Sequence, residues 1–198
     1  EGAVTAMADI ALRCACGTVR GALAHDGPGD VARVICHCAD CRGWARTTAT
    51  ADQFVDSDGG VDLIQVAPAR ARFDAGTDQL VWRRMTPKGP YRFHAACCGA
   101  AIGVTAPSPA FAHLSLPLSV VDVAADARDA RFGRPWGRIF AKDATRPVEG
   151  ASVYKRASPG LALRFISRLL GHRLRGRAKP HPLFTANGDA VGGPAPPS

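Results

Sequence analysis

The chain has 198 residues, 46% of them hydrophobic, which suits one domain, or one domain with an appendage, around a sizeable core. It contains no run of about 18 apolar residues, so a membrane-spanning helix is not expected. The net charge is +8, and Lys155, Arg156, Arg164, Arg168, Arg173, Arg175, Arg177 and Lys179, uninterrupted by Asp or Glu, account for that excess by themselves. The rest of the chain is close to neutral.

The opening "EGAVTAMADIALRC" lacks a basic stretch followed by an apolar one, so it does not read as a secretion signal; Met7 reads as a start and residues 1–6 as a remnant of expression. Seven cysteines without such a signal argue for a reducing compartment, the cytoplasm, and for thiolate chemistry rather than a disulfide framework.

In chain order, "IALRCACGTVRGALA" reads as two short strands around a cysteine knuckle. "DVARVIC" is an apolar strand that runs into the next cysteines. "VDLIQVAPARARFDAG" and "QLVWRRM" are strands, divided by Pro68 and by the turn residues Asp74, Gly76 and Asp78. "TPKGPYRFHAACCGAAIGV" holds a turn, a short strand and a second knuckle. No strand alternates with a long helical repeat, which argues against a doubly wound parallel sheet. "FAHLSLPLSVVDV" is a strand pair or a strand broken at Pro117, and "AADARDARFG" a weak short helix. Residues 151–157 read as a linker. Over 158–175 the apolar residues Ala162, Leu163, Phe165, Ile166, Leu169, Leu170 and Leu174 fall at helical spacing, with Ser158 as N-cap and Pro159 in the first turn. An amphipathic helix of this kind is expected to bury its leucines on its own domain and to leave Arg164, Arg168, His172 and Arg175 in solvent. Beyond it, the Pro- and Gly-rich end is expected to be extended and then disordered. The organisation is thus a mainly β zinc-binding domain over 8–150 and a basic helical arm with a disordered tail over 151–198. The arm could also contact an anionic surface, lipid or nucleic acid, through residues 155–179.

The cysteines form three groups: Cys14 and Cys16; Cys36, Cys38 and Cys41; and Cys97 and Cys98, with His94 just before them. Zinc prefers four ligands in a tetrahedron, and short C-x-C and C-x-x-C turns let two sulfurs converge on one ion. The first and last groups together make a structural zinc site from Cys14, Cys16 and Cys98, with Cys97 or His94 as fourth ligand. Cys36, Cys38 and Cys41 remain as a group of three. Such a site either keeps an open corner for an external thiol, or closes with His37 or a remote histidine as a second structural site. Asp40 and Arg42, flanking Cys41, read as a solvated turn pair or as groups that orient a polar substrate.

"LRCACGTVRG", "CHCADCRGWA" and "FHAACCGAAIG", in this order, resemble the glutathione-dependent formaldehyde-activating enzyme family, which includes the centromere protein V group. The resemblance covers about residues 10–105. It implies a β-tent fold of antiparallel strands around zinc, with Cys14 and Cys16 on a structural ion and Cys36, Cys38 and Cys41 on a catalytic one. Cys98, before Gly99, matches the last structural cysteine; its family partner falls on Ala95, or on His94 and Cys97 if the match shifts by one. The implied activity is that of a carbon–sulfur lyase joining or splitting glutathione and formaldehyde. Glutathione's carboxylates then call for nearby cations, for which Arg42, Arg46 and Lys88 are candidates. The competing readings are a zinc-stabilised module that binds nucleic acid or a protein through the basic arm, and a redox or metal sensor.

Overall fold

The computed structural model describes residues 9–150 and 152–196. The start read at Met7 lies outside them. The described chain is mainly β, in two open sheets.

The first sheet has the order β1-β2-β5, from β1 (Ile10–Arg13), β2 (Arg20–Leu23) and β5 (Ala71–Ala75), all antiparallel. The second begins with β3 (Ala32–Cys36), which leads into a short helix α1 (Ala39–Ala45), and with β4 (Val61–Val66). It continues through β6 (Leu80–Arg83), β7 (Tyr91–Ala95), β8 (Ala101–Thr105) and β9 (Leu114–Pro117). After helix α2 (Arg128–Phe132) come β10 (Arg138–Ile139), helix α3 (Pro159–Leu174) and β11 (Gly193–Pro194). The sheet order is β10-β3-β4-β9-β8-β7-β6-β11, antiparallel within and parallel at both edges.

The β1–β2 and β7–β8 hairpins carry the two knuckles. Pro68 separates β4 from β5 because it starts a single 3-10 turn there, and β9 ends at Pro117. One core fills the space between the sheets, with Leu12, Ile64, Phe93, Ile102, Leu114 and Leu116 fully buried. A second apolar cluster, with Trp44, Phe54 and Val61, surrounds α1 and includes Cys36 and Cys41. Arg33 and Asp62 form a two-pronged ion pair across β3 and β4, at 3.0 and 2.8 Å, and Arg33 also reaches Asp129 of α2 at 2.6 Å.

Two expectations need correction. Helix α3 has the expected extent, but only part of its apolar stripe (Ala162, Phe165 and Leu169) is half-buried, and much of the rest is in solvent. Leu163, Ile166, Leu170 and Leu174 are exposed, Leu174 by 77%. Arg164 instead stacks over the Trp136 ring at 3.6 Å, and Arg168 donates to the Gln65 side chain and to the carbonyls of Gly29 and Asp30. The body offers this face an indole and free carbonyls, which an arginine satisfies and a leucine cannot.

The end of the chain is also not a loose tail. Leu183 is fully buried in the main core, Phe184 is buried beside Tyr91, and Gly193 and Pro194 pair with Val81 and Trp82 of β6. Two strong apolar side chains within a Pro- and Gly-rich segment suffice to dock it.

Candidate metal centre

The first knuckle is held by its backbone. Cys14 N–H donates to Val19 O (3.0 Å), Gly17 N–H to Cys14 O (3.0 Å), and Val19 N–H to Cys14 Sγ (3.3 Å). Gly17 takes a positive φ of 77° to close the turn. In the second knuckle Gly99, at φ 68°, donates to Ala95 O at 2.7 Å.

The sulfurs of Cys14, Cys16, Cys97 and Cys98 converge within 4.8 Å of one another. Four separations are short: Cys14–Cys16 at 3.5 Å, Cys14–Cys97 at 3.9 Å, Cys16–Cys97 at 3.4 Å and Cys97–Cys98 at 3.9 Å. A tetrahedron with Zn–S bonds of about 2.3 Å has edges of roughly 3.8 Å. These sulfurs therefore fit a tetrahedral ion with little movement. Both adjacent cysteines belong to the group, and His94 does not. It sits in β7 opposite Val81, buried, with an unpartnered Nδ1. The Thr18 hydroxyl, 3.2 Å from Cys16 Sγ, holds that thiol down to about 6, while burial raises Cys14.

The second group is Cys36, Cys38 and Cys41, whose sulfurs also lie within 4.8 Å of one another. Cys36 ends β3, Cys38 is the N-cap of α1 and Cys41 lies in its first turn. Cys38 Sγ accepts the Cys41 N–H at 3.4 Å. Cys38 is lowered to about 2, first by the thiol of Cys36 and then by that of Cys41, whereas Cys36 is raised. Three crowded thiols cannot all ionise unaided; one thiolate forms and the others donate to it. A cation is what would let all three ionise. Among the described residues no fourth Cys, His, Asp or Glu joins them. His37 is buried beside Gly60, where an added Cβ would come within 2.7 Å of its ring.

Cys36 and Cys41, but not Cys38, line a cavity of about 330 Å³ between the second sheet and α3. Its floor follows the sheet: Ile139 of β10, Val34 and Cys36 of β3, Leu63 of β4, Ser115 of β9, Val104 of β8 and Arg92 of β7. Val34 pairs with Leu63, and Ser115 with Val104, which pairs in turn with Arg92, so the floor is one continuous face. Leu161, Ala162, Phe165 and Ile166 of α3 form the roof.

Arg92 is the residue that sequence reasoning missed. It is 3% exposed, its Nε has no partner, and its nearest carboxylate is Asp40, at 3.7 Å. Its charge adds a small lowering to Cys38, after the larger effects of Cys36 and Cys41, and opposes the net rise of Cys41. Asp40 is therefore paired with Arg92 rather than with Arg42. The cations expected to serve glutathione are elsewhere: Arg42 packs beside Gly59, while Arg46 and Lys88 are exposed, and none of the three lines the cavity. A charged residue within "YRFHA", flanked by aromatic residues in a strand, was the available signal.

The chain belongs to DUF6151, a family of unknown function, whose pattern matches residues 7–192. No curated protein matches it. The family match extends through α3 and the buried Leu183 and Phe184, and ends just before β11. Among the described residues no helix is long and apolar enough to cross a membrane.

Proposed function

We propose that the protein is a zinc-dependent carbon–sulfur lyase of the thiol-adduct type, built on a β-tent. It would carry a structural zinc on Cys14, Cys16, Cys97 and Cys98 and a second zinc on Cys36, Cys38 and Cys41. The observation that carries this reading is the pairing of a complete four-sulfur group with a three-sulfur group, two of whose cysteines, Cys36 and Cys41, line a cavity. A zinc ion on three thiolates supplies a Lewis-acidic corner at which a thiol is held deprotonated near neutral pH.

The chain's own residues supply the rest. Cys36, Cys38 and Cys41 fix the position of the corner. Arg92 faces the accumulated negative charge from a buried position, where a charge acts strongly. The apolar floor and roof keep water from the reacting sulfur. In the forward direction the thiolate sulfur attacks an aldehyde carbon, a C–S bond forms, and the former carbonyl oxygen takes a proton from water to give a hydroxyalkyl thioether. The reverse breaks that C–S bond. Formaldehyde is electrophilic enough for proximity and thiolate supply to suffice. Glutathione is the thiol that the family resemblance implies.

Metal analysis tests the proposal. We expect two zinc ions per chain. Cys38→Ser or Cys41→Ser should remove one of them, leave the fold intact and abolish thiol-dependent consumption of formaldehyde. A protein side chain on the fourth corner of the metallated triad, or full activity in these variants, would sink the reading.

The second reading makes the arm the working part, with both clusters structural. Its support is the exposed row on α3 beside the exposed Arg173 and Arg175. Against it, Arg164 and Arg168 are engaged by the body. Salt-sensitive binding to nucleic acid or anionic vesicles, lost in the folded Arg173→Glu/Arg175→Glu variant, would favour it.

A further inference from the structure

The cavity beside the triad does not resemble a site for a tripeptide. Glutathione carries two carboxylates, an amine and two amides, and each needs a partner when taken out of water. The walls offer Val34, Leu63, Val104, Ile139, Leu161 and Phe165. Polar functions are few: Arg92, Ser115 and His113. The last two are already bonded to each other, with Ser115 Oγ and His113 Nε2 at 3.1 Å. That leaves one buried charge, on Arg92, paired only loosely with Asp40 at 3.7 Å and lacking a partner for Nε. An occupant suited to these walls has one anionic end, placed between the triad and Arg92, and an otherwise hydrocarbon body under α3.

We infer that the sulfur compound taken by the Cys36–Cys38–Cys41 site is an apolar thiol, alkyl or arylalkyl, rather than glutathione. Its sulfur is bound as the thiolate facing Arg92, its proton goes to solvent, and its hydrocarbon part lies between Val104 and Phe165. This rests on the open-corner reading above and narrows its substrate class. The roof is what makes the selection. Without Leu161, Ala162 and Phe165, the sheet face would be a shallow wet surface open to a polar thiol.

The test uses the full chain loaded with cobalt(II), whose sulfur-to-metal absorption reports ligation without any turnover. Benzyl mercaptan and glutathione are titrated in parallel, and 2-mercaptoethanol serves as the small polar control. Burying an aryl group of this size favours binding by roughly tenfold or more, so benzyl mercaptan should saturate the spectral change at a concentration at least about tenfold below glutathione. Phe165→Ala should reduce that preference, and Ala162→Phe, which fills the roof, should abolish benzyl mercaptan binding while 2-mercaptoethanol still binds. Circular dichroism with the cobalt spectrum of the thiol-free protein establishes that each variant is folded and loaded. Glutathione matching or exceeding benzyl mercaptan, or a preference unmoved in both variants, overturns the inference while the open corner stands. A spectrum that responds to no thiol overturns both.

Discussion

A single cysteine sulfur decides whether the first metal site is closed. Cys97 and Cys98 are adjacent, and adjacent residues in extended chain would point apart. Here they lie in the turn between β7 and β8 that Gly99 completes at positive φ, and both sulfurs reach the Cys14–Cys16 side. We therefore expect Cys97→Ser to weaken zinc at this site by more than the roughly 10- to 100-fold typical of losing an outer-shell partner, and to lower the melting temperature with it. His94→Gln should leave zinc content unchanged, because His94 stands outside the group. Competition against a chromogenic chelator reads both; retention by Cys97→Ser with loss by His94→Gln would reverse the assignment. The cysteines of the candidate sites were legible in the sequence because C-x-C and C-x-x-C spacings confine sulfurs covalently to a few ångströms. The choice between Cys97 and His94 was not, because it depends on the path of a turn. Arg92 was hidden for a related reason: an arginine in a strand ordinarily points to solvent, and only the crossing of α3 over β7 and β8 encloses it.

Helix α3 shows how the extent of an element can be read when its orientation cannot. The start at Pro159 and the apolar spacing were evident, and the helix runs to Leu174. Period 3.6 defines two faces but does not say which one meets the body. Here the body presents Trp136 and the carbonyls of Gly29 and Asp30, and the arginine face meets them. Phe165 and Leu161 sit between the two faces and reach the cavity. Two substitutions on one helix should then behave in opposite ways. Arg168→Ala removes charge-assisted bonds to partly buried partners and should cost about 1.5–3 kcal/mol. Leu170→Lys alters a side chain that is 53% exposed and should change stability by less than about 0.5 kcal/mol. Urea unfolding of both variants measures the contrast. A large loss from Leu170→Lys with none from Arg168→Ala would mean that the leucine face is the packed one.

At the scale of the whole molecule, the chain's end closes the structure it began. The Pro- and Gly-rich composition masked this, since composition registers flexibility but not where two apolar side chains land. Leu183 enters the core between the sheets, Val191 N–H donates to Leu183 O at 3.1 Å, and β11 completes the second sheet along β6. Gly192 allows this approach: its φ is 69°, and a Cβ there would lie 1.8 Å from Leu80 O. Gly192→Ala should therefore detach β11, seen as faster amide exchange in β6 while β3 and β4 stay protected. His181 makes the same docking sensitive to acid. It is buried; its Nδ1 accepts the Leu183 N–H at 3.2 Å, and its Nε2 lies 3.1 Å from Thr105 Oγ1 and 3.2 Å from His113 O. This is the neutral tautomer with the proton on Nε2, and a proton on Nδ1 would confront the Leu183 N–H. Burial accordingly lowers His181 to about 4, below its unfolded value of 6.5. A depressed folded value means that the unfolded chain takes up the proton first. The stabilising contribution is complete above about pH 6.5 and is lost as pH falls toward about 4. His113, lowered to about 4 by burial and then by His181, and His172, lowered to about 4 chiefly by burial, add the same sign. Because acid also releases metal from thiolates, the measurement compares exchange at Leu183 with zinc content across this range. We expect Leu183 to lose protection between pH 6.5 and 4 in the wild type and to show a flatter dependence in His181→Gln at equal zinc content. An unchanged slope in that variant would remove His181 from the latch and leave metal loss as the cause.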